Sequence, residues 1–127
     1  MRVKSFKVEE YNFSNRYFKL LFYQLSHREI IIRSHKTDNN NTIDIYLGNV
    51  TYMEIPSDLN GIIFIRPSEE DIRYLKSKNI KEFTEDDVLV IMSNKKKYYI
   101  VASVISIIES DLSYMELPIH CFLQNIK

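Results

Sequence analysis

The chain has little of what staples or punctuates small proteins. Of its 127 residues, one is cysteine, two are glycine, three are proline and none is tryptophan. A lone Cys121 excludes an intramolecular disulfide and fits a reducing compartment. Gly48 and Gly61 stand apart. The two common phosphate-cradling loops each need several glycines close together, so neither is present. Charge of one sign is also missing: Lys plus Arg is 17 and Asp plus Glu is 17. Phosphate neutralisation drives nucleic-acid affinity and leaves a basic excess in most binders, so nucleic acid is not the expected partner. No run approaches the ~20 apolar residues that cross a bilayer. The opening MRVKSFKVEEYNF lacks the unbroken apolar core of a signal peptide. A cytoplasmic protein without a membrane anchor is expected.

What is present is ordinary globular composition, with 45% hydrophobic and 27% charged residues. The length suits a single domain over 1–127, long enough to bury about two-thirds of its unfolded surface. Heavy use of isoleucine, lysine and asparagine points to an AT-rich coding sequence.

Most of the chain reads as strand. The stretch from Val88 to Pro118 predicts a central hairpin: Val88–Met92 is apolar throughout, Ser93-Asn94-Lys95-Lys96 turns, and Tyr98–Ile108 returns. Arg16–Leu25 and Arg28–Lys36 predict an earlier hairpin, rich in aromatic and β-branched residues. Tyr11–Asn15 and Ser57–Gly61 read as turns, and Thr37–Thr42 as a polar loop. In Ile43–Ile55 the alternation slips by one residue at Gly48-Asn49. A bulge or tight bend there would keep Val50 and Tyr52 on the same core as Ile43, Ile45 and Leu47. Ile62–Ile65 reads as a strand buried on both faces, bounded by Gly61 and Pro67.

One helix is expected, from about residue 69 to 78. Ser68 can cap it, Glu69-Glu70-Asp71 suit its positive end, and Lys76 and Lys78 suit its negative end. Ile72 and Leu75, with Lys76 and Asn79 alongside, form its thin inner stripe. The fold class is therefore α+β, a mostly antiparallel sheet with one short helix packed on or beside it.

Tyr52-Met53-Glu54-Ile55-Pro56 is echoed by Tyr114-Met115-Glu116-Leu117-Pro118. A duplication would hold a fixed period across neighbouring matches, and these do not. The echo reads as one strand-ending device used twice, with an outward glutamate and a proline that cannot join a ladder.

Chemistry is sparse. His27, His35 and His120 show no metal-ligand spacing, and His120-Cys121 would point to opposite faces of a strand. No cofactor or metal is expected, and no catalytic residue is assigned. Glu82, Glu85, Asp86 and Asp87 fall in a connection directly before the central hairpin, where an acidic cluster on a neutral domain would steer a basic partner. Tyr52 and Tyr114 are candidate anchors for a protein partner. Lys95-Lys96-Lys97 beside Tyr98-Tyr99 is too short a cluster to define a single-strand platform.

The pattern IDIYLGNVTYMEIPSDLNGIIFI, followed by a short helix and a long hairpin, resembles the small cytoplasmic immunity proteins of bacterial polymorphic toxin systems. Val50–Ile65 carry the likeness, a strand ending in Ile55-Pro56 and restarting after Gly61. The resemblance implies a non-enzymatic domain that binds and blocks a cognate toxin, and it transfers no functional residue. Two other classes remain open on the residues alone. One is a small enzyme with His35, His120 or Cys121 and carboxylates in a cleft. The other is a structural or regulatory subunit that associates through a sheet edge, so the oligomeric state is left open.

Overall fold

In the computed structural model the backbone is described for residues 2–5, 11–24, 26, 28–38 and 40–112, and the side chains for 11–21, 23, 24, 26, 28–38 and 40–112. Among the described residues there are seven strands: β1 (Arg2–Ser5), β2 (Asn12–Gln24), β3 (Glu29–Ser34), β4 (Thr42–Glu54), β5 (Asp58–Ile65), β6 (Val88–Ser93) and β7 (Lys96–Ser110). One helix, α1 (Glu69–Lys76), follows β5. The fold is α+β with a single antiparallel sheet.

The sheet runs β1-β7-β4-β3-β2-β5-β6, and β6 also pairs with β7. That last pairing closes β2 to β7 into a six-stranded barrel. β7 is long enough to hold three neighbours. Over most of its length it pairs with β4, from Ser110 opposite Thr42 to Tyr99 opposite Glu54. Its first half pairs with β6 on the other side, and its second half with β1. The order β5-β2-β3-β4 is a Greek key. Closure leaves no long unpaired edge within the barrel.

Alternation decides which residues fill it. Phe18, Ile30, Ile32, Ile45, Leu47, Ile62, Leu89, Ile91 and Ile100 are fully buried in one interior cluster. A barrel of this size is packed with side chains rather than hollow, and each of these stabilises the fold by about 1.5–3 kcal/mol through burial.

The long hairpin turns at Asn94-Lys95, both left-handed at φ 52° and 66°. Two such residues make the tight turn whose twist matches the flanking strands. Gly61 lies inside β5, not in a turn. Its φ is +74°, and a Cβ there would sit 2.6 Å from the Ser14 carbonyl oxygen. The register of β2 against β5 shifts between Phe13 and Tyr17, across from this glycine. The expected turn at Tyr11–Asn15 is thus an irregular stretch of strand, with Ser14 N–H bonded to the Asn12 side chain at 2.9 Å. A glycine lets the two backbones approach where an ordinary residue would separate them.

Three further expectations are corrected. Ile62–Ile65 is not buried on both faces, because Ile63 is 41% exposed while Ile62 and Phe64 fill the barrel. The alternation in β4 does slip at Gly48-Asn49, where Asn49 is left-handed at φ 52° and Val50 joins Ile43, Ile45 and Leu47 in the barrel. A register shift between Val50 and Tyr52 then puts Tyr52 outside the barrel instead of on that core. Lys76 and Asn79 are exposed, so the inner stripe of α1 is Leu75 and Ile72 with Tyr74.

Helix α1 is fixed at its start by a reciprocal cap. Asp71 N–H donates to Ser68 Oγ at 3.1 Å, and Ser68 N–H donates to Asp71 Oδ2 at 2.9 Å. Its inner face covers the outside of β6 and β7, where Leu75, Val88, Val90, Tyr99 and Val101 form a second core. Among the described residues, no helix is long and apolar enough to cross a membrane.

On the opposite outer face Arg33 and Asp44 oppose each other across β3 and β4. Both side chains are fully buried and joined by a forked ion pair. Nearby Tyr46 donates its hydroxyl to the buried Glu29.

Candidate functional site

The region between α1 and β4 gathers most of the polar chemistry. Tyr52 Oη and Tyr74 Oη both donate to Glu54 Oε1, at 2.5 and 2.7 Å. Tyr99 Oη donates to Asp71 Oδ1 at 2.8 Å, and Lys97 Nζ reaches the same carboxylate at 3.1 Å. The Tyr74 and Tyr99 rings meet at 5.1 Å and link the two halves. Lys78 Nζ lies 4.5 Å over the Tyr74 ring.

The electrostatics follow from these bonds. Burial opposes charge on Asp71, but donors from Ser68, Tyr99 and Lys97 outweigh it and hold the carboxyl below its ordinary range. Glu54 behaves likewise: burial works against it, and Tyr52, Tyr74, Lys78 and Lys96 prevail. The phenols of Tyr52 and Tyr99 rise well above the ordinary tyrosine value, through burial first and then the carboxylates they serve. At neutral pH both carboxylates are charged and both phenols are donors. Such a network orders α1 on the sheet.

The anticipated surface separates into two parts. Glu82, Glu85 and Asp86 are exposed, the last two on a 3₁₀ turn at Glu85–Asp87. Among the described residues none of the three side chains makes a hydrogen bond or ion pair. Asp87 is half-buried and accepts from Thr84 N–H at 3.0 Å, so it shapes the turn. Tyr52 is half-buried in the network and is not a free anchor. It shares the second core with Phe83, which places the acidic turn on the same outer face. Tyr114, His27, His120, Cys121 and the YMELP echo lie outside the described residues. Glu54, expected to point outward, is half-buried beneath Tyr52 and Tyr74.

Two depressions mark this surface. One, of about 380 Å³, lies between the β2–β3 end and the exit of α1; it is lined by Tyr23, Arg28, Val50, Thr51, Tyr52 and Lys78–Lys81. The other, of about 310 Å³, holds His35 beside Arg16, Tyr17 and Ser34. Arg16 is spent on structure there, with Nε on Ser34 Oγ at 2.8 Å and Nη2 on the Asn41 carbonyl at 2.6 Å. Burial, together with Arg33 and Lys19, lowers the His35 pKa and keeps the ring neutral. No carboxylate lines this second depression among the described residues. Nor do the described residues contain a group of three His, Cys, Asp or Glu placed to hold a metal.

Comparison with protein-family models, with curated proteins and with solved structures finds no match.

Three features escaped the sequence reading. Asp71 was read only as one acid of the helix start, yet it is 3% exposed and ties α1 to β7. Its spacing of three from Ser68 was the available signal. Lys97 and Tyr99 belong to that anchor rather than to a basic tip. The cleft around Arg28 joins residues distant in sequence and carried no linear signature.

Proposed function

We propose that the protein is a non-enzymatic binding domain of the immunity type, which neutralises a bacterial toxin in the cytoplasm by occupying its surface. The observation that carries this reading is the acidic turn. Glu82, Glu85 and Asp86 are exposed and, among the described residues, unpaired, while Asp87 bonds back to Thr84 and Val88 enters the core. Unpaired charge on a fixed backbone is suited to steering and orienting a basic partner. The partner is a toxin domain with a basic surface, bound one to one.

The test is to purify the protein with the toxin domain encoded beside it and to measure association at several salt concentrations. The triple variant E82K/E85K/D86K leaves the capping Asp87 in place. Slower association in the variant, and in wild type at higher salt, supports the assignment. Equal affinity of variant and wild type would remove this surface from the reading. Absence of any complex would remove the reading itself.

A further inference from the structure

The geometry points to the 380 Å³ cleft as a binding site for an organic phosphate, a small molecule carrying a phosphate monoester on a flat or apolar body. Its volume falls in the range of small-molecule sites, about 300–1,000 Å³. Arg28, Lys78 and Lys81 line it, and among the described residues no acidic side chain does. The Arg28 and Lys81 side chains are exposed and make no hydrogen bond or ion pair among the described residues, in a molecule of zero net charge. Lys78, which lines the cleft, lies with its Nζ over the Tyr74 ring.

The cleft is built on a fixed frame. Its floor is Val50, Thr51 and Tyr52 of β4, at the register shift against β7. Arg28 is left-handed at φ 51°, and its carbonyl accepts from Val50 N–H at 2.9 Å. Asn79, on the opposite wall, is left-handed at φ 58°. Non-glycine residues held in this region are costly and mark positions fixed by their surroundings.

A monoester offers about two negative charges and three acceptor oxygens, which match one guanidinium fork and two ammonium groups better than a single carboxylate does. The Tyr23 ring, 44% exposed, with Val50 and Ile80, gives the organic body an apolar wall. The C-terminal end of α1 would repel an anion, but the Arg73, Tyr74 and Leu75 carbonyls already accept N–H groups from Ser77 and Lys78. The Glu54 carboxylate, coupled to Lys78, is engaged by two phenols.

The experiment titrates ¹⁵N-labelled protein at low salt with adenosine 5′-monophosphate, inorganic phosphate and adenosine. The expected result is saturable shifts for the monophosphate at the amides of Arg28, Thr51, Tyr52 and Lys78–Lys81. Phosphate should move the same amides more weakly, and adenosine should bind at least about tenfold more weakly than its monophosphate. The variant R28Q/K81Q should keep the folded spectrum and raise the dissociation constant about tenfold or more. K81Q alone, on a side chain that makes no hydrogen bond or ion pair among the described residues, should give a smaller change of the same sign. The assignment is overturned if no phosphate produces saturable shifts, if the shifts fall elsewhere, if adenosine binds as well as its monophosphate, or if both variants bind like wild type. The acidic turn takes no part, so failure here leaves the toxin-binding reading untouched.

Discussion

Arg33 and Asp44 meet across β3 and β4 with Nε 2.7 Å and Nη2 2.8 Å from the two carboxylate oxygens, and neither side chain reaches solvent. A buried pair of this kind is costly to break and less costly to replace. Removing either partner strands a charge, so D44L or R33M should destabilise by about 3–5 kcal/mol. The apolar double variant R33M/D44L should fall well short of the sum of the two singles. Urea unfolding of the four proteins measures this. Additive losses would mean that the two groups are not coupled.

The Asp71 and Tyr99 bond sets a stability window in pH. The Asp71 pKa is lowered in the folded state, so its contribution is complete above the ordinary carboxylate range and is lost as pH falls through and below it. Tyr99 and Tyr52 are raised, so theirs is complete below about 10 and is lost as pH rises beyond it. Thermal unfolding should show both limbs. D71N should flatten the acid limb, and Y99F should flatten the alkaline one while removing a charge-assisted bond of about 1.5–3 kcal/mol. An unchanged acid limb in D71N would contradict the network.

The two glycines should respond differently to a methyl group. At Gly61 the new Cβ would meet a backbone oxygen at 2.6 Å with φ at +74°. At Gly48 it would meet Tyr46 and Val104 side-chain atoms at 3.2 Å, with no left-handed backbone. G61A should therefore cost more than about 1 kcal/mol and more than G48A. The midpoint of chemical unfolding ranks them, and the reverse order would exclude the close approach of β2 and β5.

The turn Asn94-Lys95 offers a stabilising change. Lys95 is held at φ 66°, where glycine carries no penalty. K95G creates the preferred Asn-Gly pair and should raise stability by about 0.5–1 kcal/mol. A lower melting temperature would mean that Lys95 contributes through its side chain.

Legibility in the sequence followed the range of the physics. Helix α1, its Ser68 cap and the Val88–Ser110 hairpin were visible because capping, alternation and turn chemistry act within a few residues. Gly61 misled because glycine serves turns and close approaches alike, and only the distant Ser14 decides between them. Tyr52 was assigned to the wrong face because a second irregularity, between Val50 and Tyr52, follows the one at Gly48-Asn49. Barrel closure was invisible, since nothing local says that β6 and β4 flank the same strand. The acidic turn was read as exposed and is so at Glu82, Glu85 and Asp86, but the basic cleft required three segments brought together.

The three-way pairing of β7 carries a consequence for how the chain is made. β4 is complete at Glu54, yet its partner from Lys96 to Ser110 emerges from the ribosome more than 40 residues later. Until then β4 and β6 each present a bare hydrogen-bonding edge, the feature that invites pairing with other chains. Assembly is thus gated by the last strand described: everything before it waits, and its arrival joins β4, β6 and β1 in one step. A barrel whose closure depends on so late a segment should fold slowly for its size and after synthesis rather than during it.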